Sequence, residues 1–369
     1  MKIQRIESFY RGEACIVRIT DSDGAVGIGQ TSPYTADITQ IVLHRLVAPR
    51  AIAKDVELTQ EGLLAFSNHI LRDLHKYTGT YVCRALCGID TALWDLKGKK
   101  ENKSVTQLLG GTKTEVEAYY SSMVRDCPIE WEAERMERLQ KENGFRMFKL
   151  HVGPFNDEGT DFWPGRTESR IELARKKIGT DGGDIYIAPN GAFTPEWTMR
   201  LMPLFNECGV TMLEEPLPFW KVEETAQLRE QIARYGIIMA GGEQDYNPTV
   251  WDMILSRPMA DIVQPDFGYI GGFSRALNIA ERAAAKGLYT TPHTSNPSLL
   301  QQMGIHFCAS IEKPWVSLEY GVEPNLWVDE MLTDKIIVKN GRMQVPDRPG
   351  WGTDIREDWL RKANYMETK

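Results

Sequence analysis

The sequence predicts an α/β chain, with a parallel (β/α) barrel over residues 115–320 that follows an α+β domain over residues 1–114. Three observations predict it. Eight short apolar runs of strand type alternate with helical stretches beyond residue 115, the grammar of βα units. Three strand-like segments followed by three helical ones fill the region before it. The polar residues of the eight runs fall at their C-terminal ends, the rim where barrel active sites lie.

The elements follow in order. MKIQRIESFY and ACIVRITDS are rich in β-branched and aromatic residues, Asp21–Gly24 supplies a hairpin turn, and GAVGIGQ gives a third strand. Residues of about 36–48, 57–74 and 81–99 space their apolar side chains by three and four, as helices do. The last, VCRALCGIDTALWDLKGK, is apolar on most sides and reads as a buried helix. The barrel strands are VEAYYSS, FRMFKLHVG, DIYIAPN, VTMLEEP, IIMAGGE, DIVQPD, LYTTPH and WVSLEY. A doubly wound open sheet is the runner-up, but its GxGxxG fingerprint after the first strand is absent. The tail, residues 321–369, breaks the alternation with Pro and Gly clusters and is expected to return onto the first domain.

Composition narrows the partners. The 369 residues carry a net charge of −8, which argues against a broad nucleic-acid face. No apolar run reaches membrane-spanning length, and the N-terminus lacks the apolar core of a signal peptide. The six cysteines form no CxxC pair and read as buried thiols of a reduced, cytoplasmic protein.

From the second strand onward the run ends carry Lys149 and His151, Asn190, Glu214 and Glu215, Glu243, Asp266, His293 and Glu319. Taken singly each is an ordinary rim residue; their joint placement on seven consecutive strands indicates an enzyme. Residues two apart on a strand share a face, so Lys149 and His151 both point inward. Clustered carboxylates require a cation, and oxygen donors from Glu and Asn suit Mg2+. Asp266 and His293 read as a dyad in which the carboxylate fixes the imidazole tautomer. Such a site acidifies the proton α to a substrate carboxylate and stabilises the resulting enediolate.

At these residues the sequence resembles the enolase superfamily, mandelate racemase subgroup. The resemblance rests on GIDTALWDLKGK, FKLHVG, IAPNGAF, LEEP, GGE, QPDFGYIGG, TPHTSNPSL, LEYG and the closing VPDRPGWG. It implies a modified TIM barrel, (β/α)7β, under a capping domain built from both chain ends, and a homo-oligomer. It implies metal ligation by Glu214 and Glu243, acid/base chemistry at Asp266 and His293, a substrate contact at Glu319, and carboxylate stabilisation by Lys149. Two positions depart from the pattern. The second lysine of KxK is His151, either a base on the opposite face or a hydrogen-bonding group. The first metal ligand, an Asp in relatives, is Ala188, natural or introduced, with Asn190 or water left to fill its place.

The resemblance implies Mg2+-dependent dehydration of an aldonate or aldarate to a 2-keto-3-deoxy sugar acid, a lyase reaction of sugar-acid catabolism. Epimerisation, racemisation or cycloisomerisation of a sugar acid is the isomerase alternative; a metal-impaired homologue that binds without turnover is a third. The mouth-closing loops offer Thr31, Ser32, Tyr34, Tyr77 and Thr78, and the loop after the second strand adds Trp163 and Arg166, a polar lining for a sugar acid.

Overall fold

The computed structural model describes every residue except Thr78, Ser295 and Asn296. The chain opens with β1 (Ile3–Arg11), β2 (Ala14–Asp21) and β3 (Val26–Gln30), an antiparallel meander. Ile6, Ile16 and Val17 are in the core, and β2 is buried on both faces over its first four residues. The last strand of the chain, β13 (Asn364–Thr368), pairs with β1, so the C-terminus completes this sheet in the order β13-β1-β2-β3.

Helices α1 (Ala36–Val42), α2 (Ala48–Ala51), α3 (Gln60–Asp73) and α4 (Thr80–Glu101) follow, with α5 (Val105–Leu108) leading to the barrel. The expected buried helix is α4. Leu86, Leu93, Trp94 and Leu96 are fully enclosed, each contributing about 1.5–3 kcal/mol by its burial. It approaches β3 so closely that a Cβ at Gly27 or Gly29 would lie 2.1 Å and 2.4 Å from α4 carbonyl oxygens. Only glycine permits that contact. Two aspartates of α4 tie the layers together: Asp95 accepts from the Ile28 and Trp351 N–H groups, and Asp90 from Ser67 and the Ser274 N–H.

The barrel strands are β4 (Glu115–Ser121), β5 (Met147–His151), β6 (Asp184–Ala188), β7 (Val210–Glu214), β8 (Ile238–Gly241), β9 (Ile262–Val263), β10 (Tyr289–Thr290) and β11 (Ser317–Gly321). They pair in parallel in the order β10-β9-β8-β7-β6-β5-β4-β11. A parallel bridge from Thr290 to Pro314, just ahead of β11, links the two ends of that order. The crossovers are α6 (Ile129–Asn143), α7 (Arg166–Ile178), α8 (Pro195–Glu207), α9 (Val222–Ile232), α10 (Pro248–Ser256), the pair α11 (Phe267–Ile270) and α12 (Phe273–Ala284), and α13 (Leu299–Ser310). The tail carries α14 (Leu326–Met331), β12 (Arg342–Gln344), antiparallel to β4, and α15 (Glu357–Arg361). Among the described residues no helix is long and apolar enough to cross a membrane, and all six cysteines are buried and unpaired.

Inside the barrel Tyr119, Met147, Tyr186, Met212, Ala240 and Ile262 form one apolar layer. The period of two then fixes the next layer toward the C-terminal rim: Ser121, Lys149, Ala188, Glu214 and Gln264 stand two residues further on. The site is built on this floor.

His306 of α13 locks barrel to tail. Its Nδ1 accepts from the Thr106 N–H at 3.3 Å, and its Nε2–H donates to the Trp351 carbonyl at 3.1 Å. The ring is enclosed as the neutral tautomer, and burial lowers its pKa to about 4. The folded state therefore binds its proton less readily than the unfolded chain. Its contribution is complete above about 6.5 and is lost as the pH falls toward 4, by roughly 3 kcal/mol. Thermal melts across that window are expected to show a falling midpoint that His306→Gln flattens; an equal slope in both proteins would exclude His306 as the cause.

Candidate active site

The floor of the barrel mouth is an ion cluster. Lys149 Nζ lies 2.6 Å from Glu214 Oε1 and 2.6 Å from Glu319 Oε1, and all three side chains are buried. Glu214 Oε2 accepts from Gln264 Nε2 at 2.7 Å. Glu319 accepts from Ser121 Oγ at 2.8 Å and from the Thr294 N–H at 3.0 Å. Burial opposes charge on Lys149, but Glu214, Glu319 and Glu243 outweigh it and raise its pKa. Burial likewise opposes charge on Glu319, and Lys149 and His293 overcome it, so its pKa is held low.

Above the floor lies a cavity of about 250 Å³. His151, Asn190, Glu215, Glu243, His293, Arg125 and Tyr34 are among its walls. His293 Nδ1 is 2.7 Å from Asp266 Oδ2, and its Nε2 is 3.7 Å from Glu243 Oε2. Asp266 is itself held by the Tyr269 N–H at 3.0 Å, as the cap of α11. Burial pushes the His293 pKa down, but Glu243, the Asp266 hydrogen bond and Glu319 carry it well above its ordinary value. His151 is set the other way: burial, Arg125 and Lys149 lower its pKa well below the ordinary value. Its Nδ1 bonds to the Ser122 carbonyl. A carbonyl only accepts, so Nδ1 carries the hydrogen and Nε2 keeps its lone pair.

Among the other wall residues, Arg125 escaped sequence reading, and Glu215 was read as a run end but given no role in the site. Arg125 lies beyond β4, the one strand whose end carried no assigned polar residue. Its guanidinium donates to the Val152 and Gly153 carbonyls at 3.1 Å and 3.0 Å and to Asn190 Oδ1. The Phe155 ring covers it, 3.9 Å from centroid to guanidinium carbon. Glu215 follows the last residue of β7, and strand alternation alone would turn it away from Glu214's side. Its φ of 41° is left-handed and brings it to the cavity. Asn190 Nδ2 donates to its Oε2 at 3.3 Å, while Oε1 has no partner among the described residues. Burial, Glu243 and Glu214 raise the Glu215 pKa, and burial with Glu214 raises that of Glu243 to about 7 against the pull of His293.

The expected substrate contacts divide. Tyr34 is on the cavity wall, its ring 6.3 Å from that of Tyr269. Thr31 is fully buried, its hydroxyl spent on the Ser32 carbonyl. Arg166 is fully buried, and its guanidinium holds the carbonyls of Arg125 and Cys127 under the Phe162 and Trp163 rings. Neither is among the cavity walls: each is buried and turned to main-chain carbonyls. Tyr77 and Trp163 are exposed and stand outside its walls. Thr78 lies outside the described residues.

The donor set for a divalent ion is incomplete. Position 188 offers only a methyl group, and both Glu214 oxygens are already engaged. The Asn190 amide oxygen accepts from Arg125. No group of three or more His, Cys, Asp or Glu side chains converges as a metal site among the described residues. A cation placed at Asn190 would also face a guanidinium, a repulsion of about 4 kcal/mol per unit charge at 4 Å and an effective dielectric of 20. Glu215 and Glu243 keep carboxylate oxygens on the cavity, Glu243 beside Gln244 and His293, but with position 188, Glu214 and Asn190 withdrawn the set does not fit a divalent ion.

Comparisons with known proteins agree with the fold. The description "Mandelate racemase / muconate lactonizing enzyme, N-terminal domain" matches residues 5–110, and "Enolase C-terminal domain-like" matches residues 131–359. The chain is 28% identical over 357 residues to arabinonate dehydratase of Saccharolobus solfataricus, covering 94% of this chain and 89% of that one. It is 27% identical over 362 residues to D-galactarolactone cycloisomerase of Agrobacterium fabrum, covering 95% and 91%. A crystal structure from Roseobacter denitrificans, whose racemase designation is provisional, shares 37% identity over the full length of both chains with a TM-score of 0.95. L-talarate dehydratase from Polaromonas sp. JS666, solved with Mg and L-glucarate, has the same fold at 22% identity, covering 100% and 99% with a TM-score of 0.83.

Proposed function

Because the chain belongs to the mandelate racemase subgroup of the enolase superfamily, a family of enzymes, we propose that it removes the proton α to the carboxylate of an acid sugar and expels the β-hydroxyl as water. The product is a 2-keto-3-deoxy sugar acid. The observation that carries this reading is the pair of imidazoles on one cavity, each fixed through Nδ1 by a different partner, His151 by the Ser122 carbonyl and His293 by the Asp266 carboxylate.

His151 Nε2, with its lone pair free, takes the C2 proton. His293, protonated and anchored by Asp266, donates its Nε2 proton to the departing C3 hydroxyl. The enol released by that step takes a proton at C3 to become the keto acid, so the balance is loss of one water. Glu319, fixed by Ser121 and the Thr294 N–H, keeps Lys149 charged beneath the enediolate. Similarity to arabinonate dehydratase and to a talarate/galactarate dehydratase of Salmonella typhimurium supports an aldonate or aldarate as the substrate class. The six unpaired thiols support a reducing, cytoplasmic setting.

Similarity to D-galactarolactone cycloisomerase supports a second reading, cycloisomerisation of a sugar-acid lactone, which shares the first proton transfer. A sugar-acid library assayed for 2-keto products separates them. Formation of a 2-keto acid from at least one aldonate or aldarate is expected. Exchange or inversion at C2 in D2O without a 2-keto product would replace dehydration by isomerisation.

A further inference from the structure

We propose that Arg125 occupies the role of the divalent cation in this chain: a fixed guanidinium that binds the substrate carboxylate and neutralises the enediolate, making the reaction metal-independent. The inference rests on the α-proton reading above. It starts from the misfit between the donor set and a divalent ion, and from what stands in that place instead.

Position 188 and Arg125 meet through one residue. The Ala188 carbonyl accepts from the Val152 N–H at 3.1 Å, and the Val152 carbonyl accepts from Arg125. Ala188 and the Arg125 guanidinium are therefore joined through the Val152 main chain. The methyl group of Ala188 offers the guanidinium no acidic partner.

The arginine is built in. Its main-chain carbonyl is gripped by Arg166 and by Arg170 Nη1, the latter at 2.8 Å, and Arg170 Nη2 holds the preceding Val124 carbonyl at 3.0 Å. The residue is 7% exposed. Three of the five guanidinium N–H groups are committed to Val152, Gly153 and Asn190. Two are left, and Nε has no partner among the described residues. A paired carboxylate acceptor suits that remainder. The charge survives burial because acids surround it: burial lowers its pKa to about 10, and Glu243, Glu214 and Glu215 favour the charged form. Asn190, which sequence reading offered to a metal, positions the guanidinium instead. It bridges Arg125 to Glu215, linking the ends of β4, β6 and β7.

The test uses the native chain first. Calorimetric titration with Mn2+ is expected to give no saturable binding, and turnover of the acid sugar is expected to survive exhaustive chelation unchanged. Saturable Mn2+ binding, or loss of turnover on chelation with recovery on adding Mg2+, would overturn the proposal. Arg125→Ala is then expected to lose about 10³-fold in kcat/KM, with partial recovery in added guanidinium; an unchanged kcat/KM contradicts the role. Should that variant fail to fold, the native titration still decides. If no acid sugar is turned over with or without metal, it is the substrate reading that fails, while the Mn2+ titration still judges the arginine.

Discussion

His293→Asn is expected to lower kcat by about 10³-fold while leaving the melting temperature nearly unchanged. The two halves of this result have separate causes. Catalysis is lost because the Nε2 proton has no substitute: an amide at this position is neither an acid nor a base. Stability is kept because the ring lies on a cavity wall, not in the core, and contributes one main hydrogen bond, 2.7 Å to Asp266. The Asn amide keeps that carboxylate company. Steady-state turnover alongside circular-dichroism melts checks both halves. Retained turnover would remove the dyad from the mechanism.

Lys149→Met is expected to act on the fold as much as on the chemistry. Removing one member of a buried ion cluster leaves the others uncompensated, at a cost of about 3–5 kcal/mol. Here two carboxylates, Glu214 and Glu319, lose a partner 2.6 Å away. The pH dependence follows from the sign of the Glu319 shift. With Lys149 present its pKa is held below the ordinary range, so its contribution is intact at neutral pH and is lost only in strong acid. Without Lys149, burial dominates, the carboxyl takes up a proton more readily, and the cost of its charge disappears in acid. The stability gap between the two proteins should be widest at neutral pH and narrow as the pH falls. Denaturant melts at several pH values measure it; a gap independent of pH would mean that lost packing, not unpaired charge, is the cause.

The strand pattern made the barrel legible. A period of two places Lys149 above Met147, Glu214 above Met212 and Gln264 above Ile262, and such alternation needs no knowledge of the tertiary fold. The gathering of His151, Asn190, Glu243 and His293 at one mouth follows from the rule that parallel strands end on the same rim. What stayed illegible depends on loops and on partner choice. Arg125 sits past β4 on an irregular segment, where no periodicity says which way it points. Glu215 faces the cavity through a left-handed φ that a strand pattern does not encode. The strand pattern turns Lys149 inward but does not say that two buried glutamates pair with it there, as an enclosed charge requires. Thr31 and Arg166 carry the right chemistry for a sugar, but both are buried against main-chain carbonyls and not on the cavity.

An acid sugar labelled with deuterium at C2, followed through turnover by NMR, tests proton abstraction most directly. The label should pass to water, slow the conversion, and be absent from the 2-keto-3-deoxy product, whose C3 carries a solvent hydrogen. A substrate converted with its C2 deuterium still in place would contradict the account at its root.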